Sequence, residues 1–243
     1  MKVSIIVQAR MGASRLPGKI MKRVLGKPML EYQIERLRRV KASDEVVIAT
    51  TEDPSDDVVS DFCQKLSIPF FRGDVDDVLG RTYGAAKKRK ADVIVRITGD
   101  CPLIDPMVVN QLIEYYLSNR HRFDYVSNVI ERTFPRGMDG EVFPFKILEE
   151  IEAVATDPSD REHVTLYLRR NSMRYRLGNL SYVRDESHHR WTLDTEDDFK
   201  LIREFFERLY PTRPHFSLED CLRFMEQNPD LVKLNQHIRQ KEI

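Results

Sequence analysis

Cysteine and long apolar runs are both scarce in this chain of 243 residues. Its three cysteines, Cys63, Cys101 and Cys221, are odd in number and far apart, so they predict neither a disulfide framework nor a CxxC zinc site. No apolar run approaches the length of a membrane span, and the first residues do not resemble a cleavable signal. We therefore expect a cytoplasmic protein that does not enter a membrane.

An excess of charge of one sign is also missing. Lysine and arginine together number 39, aspartate and glutamate also number 39, and the formal net charge is zero. This balance argues against nucleic acid or an anionic membrane as a partner, because both require a basic surface. A local basic site remains compatible with it.

Two familiar phosphate-binding motifs are absent as well. The P-loop requires a glycine, four residues and then Gly-Lys-Ser/Thr. Here five residues separate Gly12 from Gly18, and Lys19 is followed by Ile20, which has no hydroxyl for a metal ion. No GxGxxG occurs in this stretch, so a dinucleotide-binding fold is not supported.

What the N-terminal residues do contain is a different kind of basic loop. Residues 3–7 predict a buried strand, and residues 8–19 follow at the edge where open α/β sheets bind ligands. Arg10, Arg15 and Lys19 supply positive charge, and the small residues between them let backbone N–H groups approach phosphate oxygens. We interpret the loop as a triphosphate site; a solvated basic surface loop is the alternative.

Strand-like and helix-like runs alternate through the first half of the chain. The further strands are predicted at residues 45–50, 68–71 and 92–97. The helices are predicted at residues 55–66, 75–90 and 106–117. This βα order predicts an α/β fold with a mostly parallel sheet and helices on both faces.

The second half mixes short strand candidates with helices. The strand candidates are residues 124–128, 141–145, 174–178 and 180–183. Helices are predicted near residues 146–155 and 160–170, and capping-box spacing at Thr195 and Ser217 starts two more. We predict one domain over residues 1–243, with an antiparallel subregion inserted into the parallel sheet.

Two aspartates follow predicted strands and form a candidate metal site. Asp100 comes after the strand that ends near Thr98, and Asp194 follows residues 191–193, which we interpret as a strand, and precedes the Thr195 cap. Carboxylates at two strand ends, facing a phosphate loop, suit Mg²⁺, which prefers hard oxygen ligands. The alternatives are a turn aspartate and a helix cap.

Two other motifs give weaker signals. Asp74 and Asp76 match the DxD pattern by which many glycosyltransferases hold a metal–nucleotide complex, but capping of the helix that follows explains them more simply. His188 and His189 suggest zinc, but neighbouring residues on a strand point to opposite faces and no third ligand has the right spacing. We do not predict zinc there.

Five ordered blocks of sequence closely resemble the sugar-acid cytidylyltransferases, which include the 3-deoxy-manno-octulosonate and acylneuraminate enzymes, and above all the spore coat polysaccharide biosynthesis protein F group. The blocks are residues 8–19, 98–104, 135–137, 161–165 and 191–199. They span roughly residues 1–210. One departure is Ala13, which precedes Ser14 where the family usually has a Ser-Thr pair.

The resemblance implies a three-layer α/β/α nucleotide-diphospho-sugar transferase fold of GT-A type. It also implies a Mg²⁺-dependent transfer of CMP from CTP to a sugar acid, with release of pyrophosphate, in surface polysaccharide biosynthesis. In that reading the nucleotide half is residues 1–120, the acceptor half is residues 121–210, and residues 211–243 form a helical tail. We allow for a homodimer.

The resemblance also implies roles for matching residues. Asp100 and Asp194 would hold the metal, and Arg10 and Lys19 would stabilise the leaving pyrophosphate. The predicted nucleotide-binding residues are Ala9, Arg10, Gly12, Ser14, Arg15, Lys19, Arg72 and Thr98.

The acceptor half holds two further motifs. A sugar acid needs a guanidinium for its carboxylate and polar groups for its hydroxyls. Arg136 and Arg161 are the candidates for the first role, and Asp139 and His163 for the second. For each arginine, a salt bridge on a connecting segment is the alternative.

Two rival functions remain open from the sequence. A glycosyltransferase of the same fold would hold its metal with Asp74 and Asp76 and would use a finished nucleotide sugar. A nucleotide-binding module without catalysis is the other, and the intact set Arg10, Lys19, Asp100 and Asp194 argues against it.

Overall fold

The computed structural model of the chain describes residues 1–240. Short apolar runs form most of its strands. In chain order they are β1 (Val3–Gln8), β2 (Arg23–Val24), β3 (Lys27–Pro28), β4 (Glu45–Thr51), β5 (Phe70–Gly73), β6 (Val93–Thr98), β7 (Tyr125–Ser127), β8 (Glu141–Pro144) and β9 (Leu177–Asn179). Strands β2 and β3 form a small antiparallel hairpin, and the others build the main sheet.

Strand β1 lies in the parallel part of the main sheet. It pairs in parallel with β4 and β6, so that Ile5 lies opposite Val46 on one side and Val95 on the other, and β5 extends this part beyond β4. Strand β8 runs antiparallel to both β6 and β7, and β9 is parallel to β7. The strand order β5-β4-β1-β6-β8-β7-β9 confirms the predicted parallel sheet with an antiparallel insertion.

Helices follow most of the strands. In chain order they are α1 (Met29–Leu37), α2 (Asp57–Lys65), α3 (Val78–Arg89), α4 (Pro106–Asn119), α5 (Phe145–Val154), α6 (Pro158–Glu162), α7 (Leu166–Arg170), α8 (Glu196–Leu209) and α9 (Leu218–Gln227). Helices α8 and α9 begin at the predicted capping boxes, formed by Thr195 with Asp198 and by Ser217 with Asp220.

Strand β1 is buried on both faces because helices cover the sheet from both sides. Ile5 and Val7 belong to one apolar cluster, which includes residues of α1 and α4, and Ile6 belongs to another, which includes residues of α3 and α5. All three side chains are fully buried, and each such burial is worth about 1.5–3 kcal/mol. A third cluster, around Trp191 and Phe205, packs beneath α8 and α9.

Several predicted elements differ in the structure. Residues 180–183 form no strand: the Leu180 amide makes the last bond of the β7–β9 pair, to the Ser127 carbonyl, and the Tyr182 amide donates to the Thr133 hydroxyl instead of to a neighbouring strand. Residues 191–193 are likewise irregular. The helix predicted near residues 160–170 is two helices, because Thr165 lies between them and donates its hydroxyl to buried Glu141 at 2.7 Å.

Helix α1 was not predicted. Its N-cap is Pro28, which has no capping side chain, so the usual start signal is missing. The buried residues Leu30, Ile34 and Leu37 have helical spacing and were the available signal. Of the predicted tail, residues 241–243 lie outside the described residues. None of the helices within residues 1–240 has the length and apolar composition needed to cross a membrane.

Candidate active site

The basic loop that follows β1 is closed on itself. The Met11 carbonyl accepts hydrogen bonds from the amides of Ala13 and Gly18, both at 2.9 Å, and the Met11 amide donates to buried Asp56 at 2.6 Å. Gly18 has φ of +68°, a left-handed conformation that favours glycine. This turn starts the 3₁₀ segment at Lys19, so the loop fixes where the Lys19 side chain begins.

The carboxyl end of β6 lies against the carboxyl end of β1. The Gly99 amide donates to the Gln8 carbonyl at 2.8 Å, and a Cβ at Gly99 would stand 2.8 Å from that same oxygen. Glycine is needed there for this close approach. Asp100 therefore follows directly at the edge of the sheet, beside the basic loop.

Asp194 reaches the same edge by a different route from the predicted one. The segment before it is irregular, but the Leu193 amide donates to the Asp100 carbonyl at 2.8 Å. The same segment is held to residues 136–137, because the Trp191 amide donates to the Arg136 carbonyl at 2.8 Å. Gly137, with φ of +103°, leaves room for the Trp191 carbonyl.

Lys19 joins the two aspartates. Its Nζ lies 2.8 Å from Asp194 Oδ1 and 3.7 Å from Asp100 Oδ2. Burial lowers the pKa of Lys19, but the two carboxylates outweigh it and raise the pKa above its usual value. Asp194 also pairs with Arg15 at 3.1 Å and Arg190 at 2.9 Å. Burial raises the pKa of Asp194, but Lys19, Arg15 and Arg190 together hold it below its usual value.

The basic loop and these aspartates line an open cleft of about 330 Å³. Most of the predicted nucleotide-binding residues line it, and these are Ala9, Arg10, Gly12, Ser14, Arg15, Lys19 and Thr98. Arg72 does not: its guanidinium donates to the Thr51 carbonyl at 2.8 Å and to Asp57 at 2.7 Å. The structure therefore gives Arg72 a structural partner on α2 instead of a place in the cleft.

A second cavity, of about 500 Å³, adjoins the first. The residues that line both are Arg96, Thr98, Asp100, His163, Asp194 and Gln240. Arg136 and Asp139, predicted for the acceptor, line the second cavity together with His163. Arg161 lines neither, because its guanidinium pairs with Asp77 and Glu152. The alternative interpretation, a salt-bridged arginine, describes Arg161.

The second cavity has guanidinium groups that sequence reasoning missed. Asp139 is paired with Arg132, in a bidentate contact of 2.7 and 2.8 Å, and not with Arg136. Within residues 1–240 the side chains of Arg136 and Arg169 make no hydrogen bond or ion pair. Burial and the neighbouring Arg132 lower the pKa of Arg136. An unpaired guanidinium in a cavity wall is suited to an anionic ligand.

Arg190 is another residue that was not predicted. It is buried, and its guanidinium bridges Asp194 and Asp198, each at 2.9 Å. Its position directly before the matched block of residues 191–199 was the available signal. For Arg132 and Arg169 the sequence offers no comparable signal, because their surroundings arise only from the fold.

Asp100 and Asp194 fit a cation. Oxygens of both carboxylates lie within 4 Å of the Lys19 ammonium, so the pair already faces a positive charge. Asp74 and Asp76 do not reach either cavity. Asp74 instead accepts the amides of Asp76 and Asp77, at 2.8 and 3.2 Å, ahead of α3.

The strand argument against zinc at His188 and His189 is wrong. The two residues lie in and beside a turn, and their rings are 4.1 Å apart. Glu186 lies next to them, so a third side chain that could bind a metal ion is within reach.

Known proteins are similar to this chain in sequence and in fold. The family model for cytidylyltransferases matches residues 4–237. The spore coat polysaccharide biosynthesis protein SpsF of Bacillus subtilis is 31% identical over 235 residues, which are 94% of this chain and 95% of that protein. A solved cytidylyltransferase from Leptospira borgpetersenii is 35% identical, with a TM-score of 0.92, over 99% of this chain and all of that one.

A second solved structure is more distant. A CMP:2-keto-3-deoxy-manno-octonic acid synthetase, complexed with CTP, is 20% identical with a TM-score of 0.66, over 86% of this chain and 99% of that one. At this identity the likeness concerns the fold alone. The two solved structures confirm the predicted α/β class.

Proposed function

The chain belongs to the cytidylyltransferase family, and on that premise we propose that it transfers CMP from CTP to a sugar acid and releases pyrophosphate. One observation carries the proposal. Two cavities meet at Asp100 and Asp194, and one is lined by the basic loop while the other holds unpaired guanidinium groups. A nucleotide in the first and an acceptor in the second would therefore face each other across the two carboxylates.

The reaction is an in-line displacement at phosphorus. A hydroxyl oxygen of the acceptor bonds to the α-phosphorus of CTP, the bond between that phosphorus and the α–β bridging oxygen breaks, and the hydroxyl proton is released. Catalysis then consists mainly of positioning and of stabilising charge on pyrophosphate.

Arg10 and Lys19 would supply that stabilisation. The Arg10 guanidinium donates to the Val75 carbonyl at 3.0 Å and has no carboxylate partner within residues 1–240. Its charge is therefore open to a phosphate. Lys19 has a raised pKa and stays protonated at neutral pH, so its ammonium can stabilise the negative charge that develops on the leaving pyrophosphate.

Mg²⁺ is part of the proposal, with Asp100 and Asp194 as its protein ligands. When bound, such an ion withdraws negative charge from the phosphates and increases the acidity of the acceptor hydroxyl. The two carboxylates already face the Lys19 cation at 2.8 and 3.7 Å, which supports the assignment.

The acceptor would bind in the second cavity. Arg136 and Arg169 suit its carboxylate, and the Arg132–Asp139 pair and His163 suit its hydroxyls. The named relative SpsF supports a role in surface polysaccharide synthesis. The cytoplasmic location and the homodimer remain predictions.

The test is a screen for pyrophosphate release. Each of the four nucleoside triphosphates is mixed with a panel of 2-keto sugar acids and Mg²⁺, with Asp100→Asn as the inactive control. Release with CTP and one sugar acid is the expected result. Failure of every pair, with turnover of a finished nucleotide sugar, would favour the glycosyltransferase, and nucleotide binding without any turnover would favour a binding module.

A further inference from the structure

A turn outside the cleft carries three metal-binding side chains. One ligand atom from each of Glu186, His188 and His189 lies within 4.8 Å of the other two. His189 Nε2 lies 3.7 Å from a Glu186 carboxylate oxygen. None of the three residues lines the nucleotide or the acceptor cavity.

The backbone of this turn is fixed by its neighbours. The Glu186 amide donates to the Thr133 carbonyl at 2.8 Å, and the His189 amide donates to the Glu186 carbonyl at 3.1 Å. The His189 ring stacks on buried Trp191, with ring centroids 5.1 Å apart. Two of the three ligands are thus held in place, and His188 is an exposed side chain that can rotate toward them.

We propose that Glu186, His188 and His189 bind a Zn²⁺ ion, with water completing a tetrahedral site. Two imidazoles and one carboxylate suit a borderline ion such as Zn²⁺ better than they suit Mg²⁺, which prefers oxygen. Arg184 is the competing cation, 3.5 Å from Glu186, but its side chain is 57% exposed. Although the Glu186 side chain is only 14% exposed, solvent screens the exposed Arg184 guanidinium, so a metal ion can displace it from the carboxylate.

The bound ion has a consequence for the acceptor cavity. The His189 carbonyl accepts a hydrogen bond from the Arg136 amide at 3.0 Å, so the turn that carries the three ligands is joined directly to the Arg136 backbone. A metal on the turn restricts the segment that presents the Arg136 guanidinium. The site is therefore a structural clamp on the acceptor half, separate from the Mg²⁺ proposed between Asp100 and Asp194.

The experiment uses the full chain stripped of metal with a chelator and titrated with zinc chloride in a calorimeter. We expect one equivalent to bind, and we expect His188→Ala and Glu186→Gln each to weaken binding by about tenfold or more. Cobalt(II) provides a second signal, because tetrahedral cobalt absorbs visible light, and that absorption should be lost in His188→Ala. Both His188→Ala and Glu186→Gln should fold, because neither substitution removes a buried side chain from the core.

Two controls separate this site from others. His121→Ala removes an exposed histidine elsewhere, and Asp100→Asn disables the proposed Mg²⁺ site; both should leave zinc affinity unchanged. The proposal is overturned if no equivalent of zinc binds, if His188→Ala binds as tightly as the parent, or if Asp100→Asn abolishes the binding.

Discussion

The proposed nucleotide half, residues 1–120, and the proposed acceptor half, residues 121–210, differ in how their cationic side chains are paired. In the nucleotide half, Lys19 and Arg15 already contact carboxylates. In the acceptor half, Arg136 and Arg169 line a cavity without a partner in residues 1–240. A ligand that contacts Lys19 or Arg15 must replace a carboxylate, whereas a ligand that contacts Arg136 or Arg169 meets a guanidinium without an ionic partner in residues 1–240. Arg10 is the exception in the first cavity, because it has no carboxylate partner within those residues.

The contrast indicates where each half obtains its selectivity. Exchange of partners gives a small net gain for each contact, so nucleotide binding depends on many groups acting together. An unpaired, half-buried guanidinium gives a larger gain when a carboxylate arrives. We therefore expect the binding energy of the nucleotide to be distributed over many side chains, and that of the acceptor to come mainly from the few unpaired guanidinium groups.

The largest effect is expected from removing the two carboxylates that line both cavities. Asp100→Asn and Asp194→Asn should each lower turnover by about 10²–10³-fold, since each loses a group that would hold metal and phosphate in the transition state. Steady-state rates at saturating Mg²⁺ measure this, with circular dichroism to check the fold. Asp76→Asn is the matched control, and near-parental turnover in either active-site variant would contradict the two-aspartate site.

Lys19→Ala tests the exchange of partners in the nucleotide half. We expect CTP binding to weaken by about tenfold to a hundredfold, and CMP binding to change little, because CMP has no β- or γ-phosphate for the ammonium to contact. Calorimetric titration of both nucleotides measures the difference. Lys22→Ala, which removes a surface cation paired with Glu196, serves as the control. Equal losses for the two nucleotides would place Lys19 away from the leaving group.

Arg136→Lys tests the unpaired guanidinium of the acceptor half. The acceptor KM should rise about tenfold, because a point charge cannot reproduce bidentate contact with a carboxylate, and the KM for CTP should hardly change. Steady-state kinetics with each substrate varied in turn measure the two KM values. Arg174→Lys, on the exposed surface, is the control. A selective effect on CTP would mean that this segment faces the nucleotide.

The smallest expected effect concerns Glu45, the first residue of β4, which lies at the amino end of the parallel strands, away from the cleft at their carboxyl end. Burial raises the pKa of Glu45, but hydrogen bonds from Arg89 and Lys2 outweigh it and lower the pKa to about 2. Its contribution to stability is therefore present above the ordinary value of 4.5 and is lost as the pH falls through about 2.

Glu45→Gln should thus cost about 1 kcal/mol at neutral pH, a figure reduced for solvent screening of the exposed partners. The free energies of unfolding of variant and parent should converge as the pH approaches 2. Denaturant unfolding at several pH values measures this, with exposed Glu52→Gln as the control. A difference that stays constant over the whole range would show that the carboxylate charge plays no part.

The sequence predicts the nucleotide half well because its site follows from regular geometry. A strand, a loop and a helix recur, so Asp100, after the end of β6, and Lys19, after the loop that follows β1, lie at one sheet edge. The family resemblance, found from the same loops, was also confirmed.

The acceptor half was harder, because its contacts join segments that have no fixed spacing. Arg132, not Arg136, pairs with Asp139, and Arg169 comes from a short helix whose break at Thr165 depends on Glu141. Arg161 was assigned to the acceptor because a sugar acid needs a guanidinium, and Arg72, in the nucleotide half, was assigned through the family resemblance, yet the fold gives both of them carboxylate partners elsewhere. Local sequence cannot reveal which partner a long cationic side chain will meet.

The position of β8 limits how this enzyme could be redesigned. Residues 141–144 of the acceptor half lie between β6 and β7, so the last strand of the nucleotide half takes one of its two neighbours from beyond residue 120. A fragment cut at residue 120 would leave β6 with an unpaired edge, which is prone to aggregation. The two halves are thus not modules. Changing the acceptor would mean altering loops on a shared sheet, since grafting a foreign second half would also replace the strand that pairs with β6 of the first half.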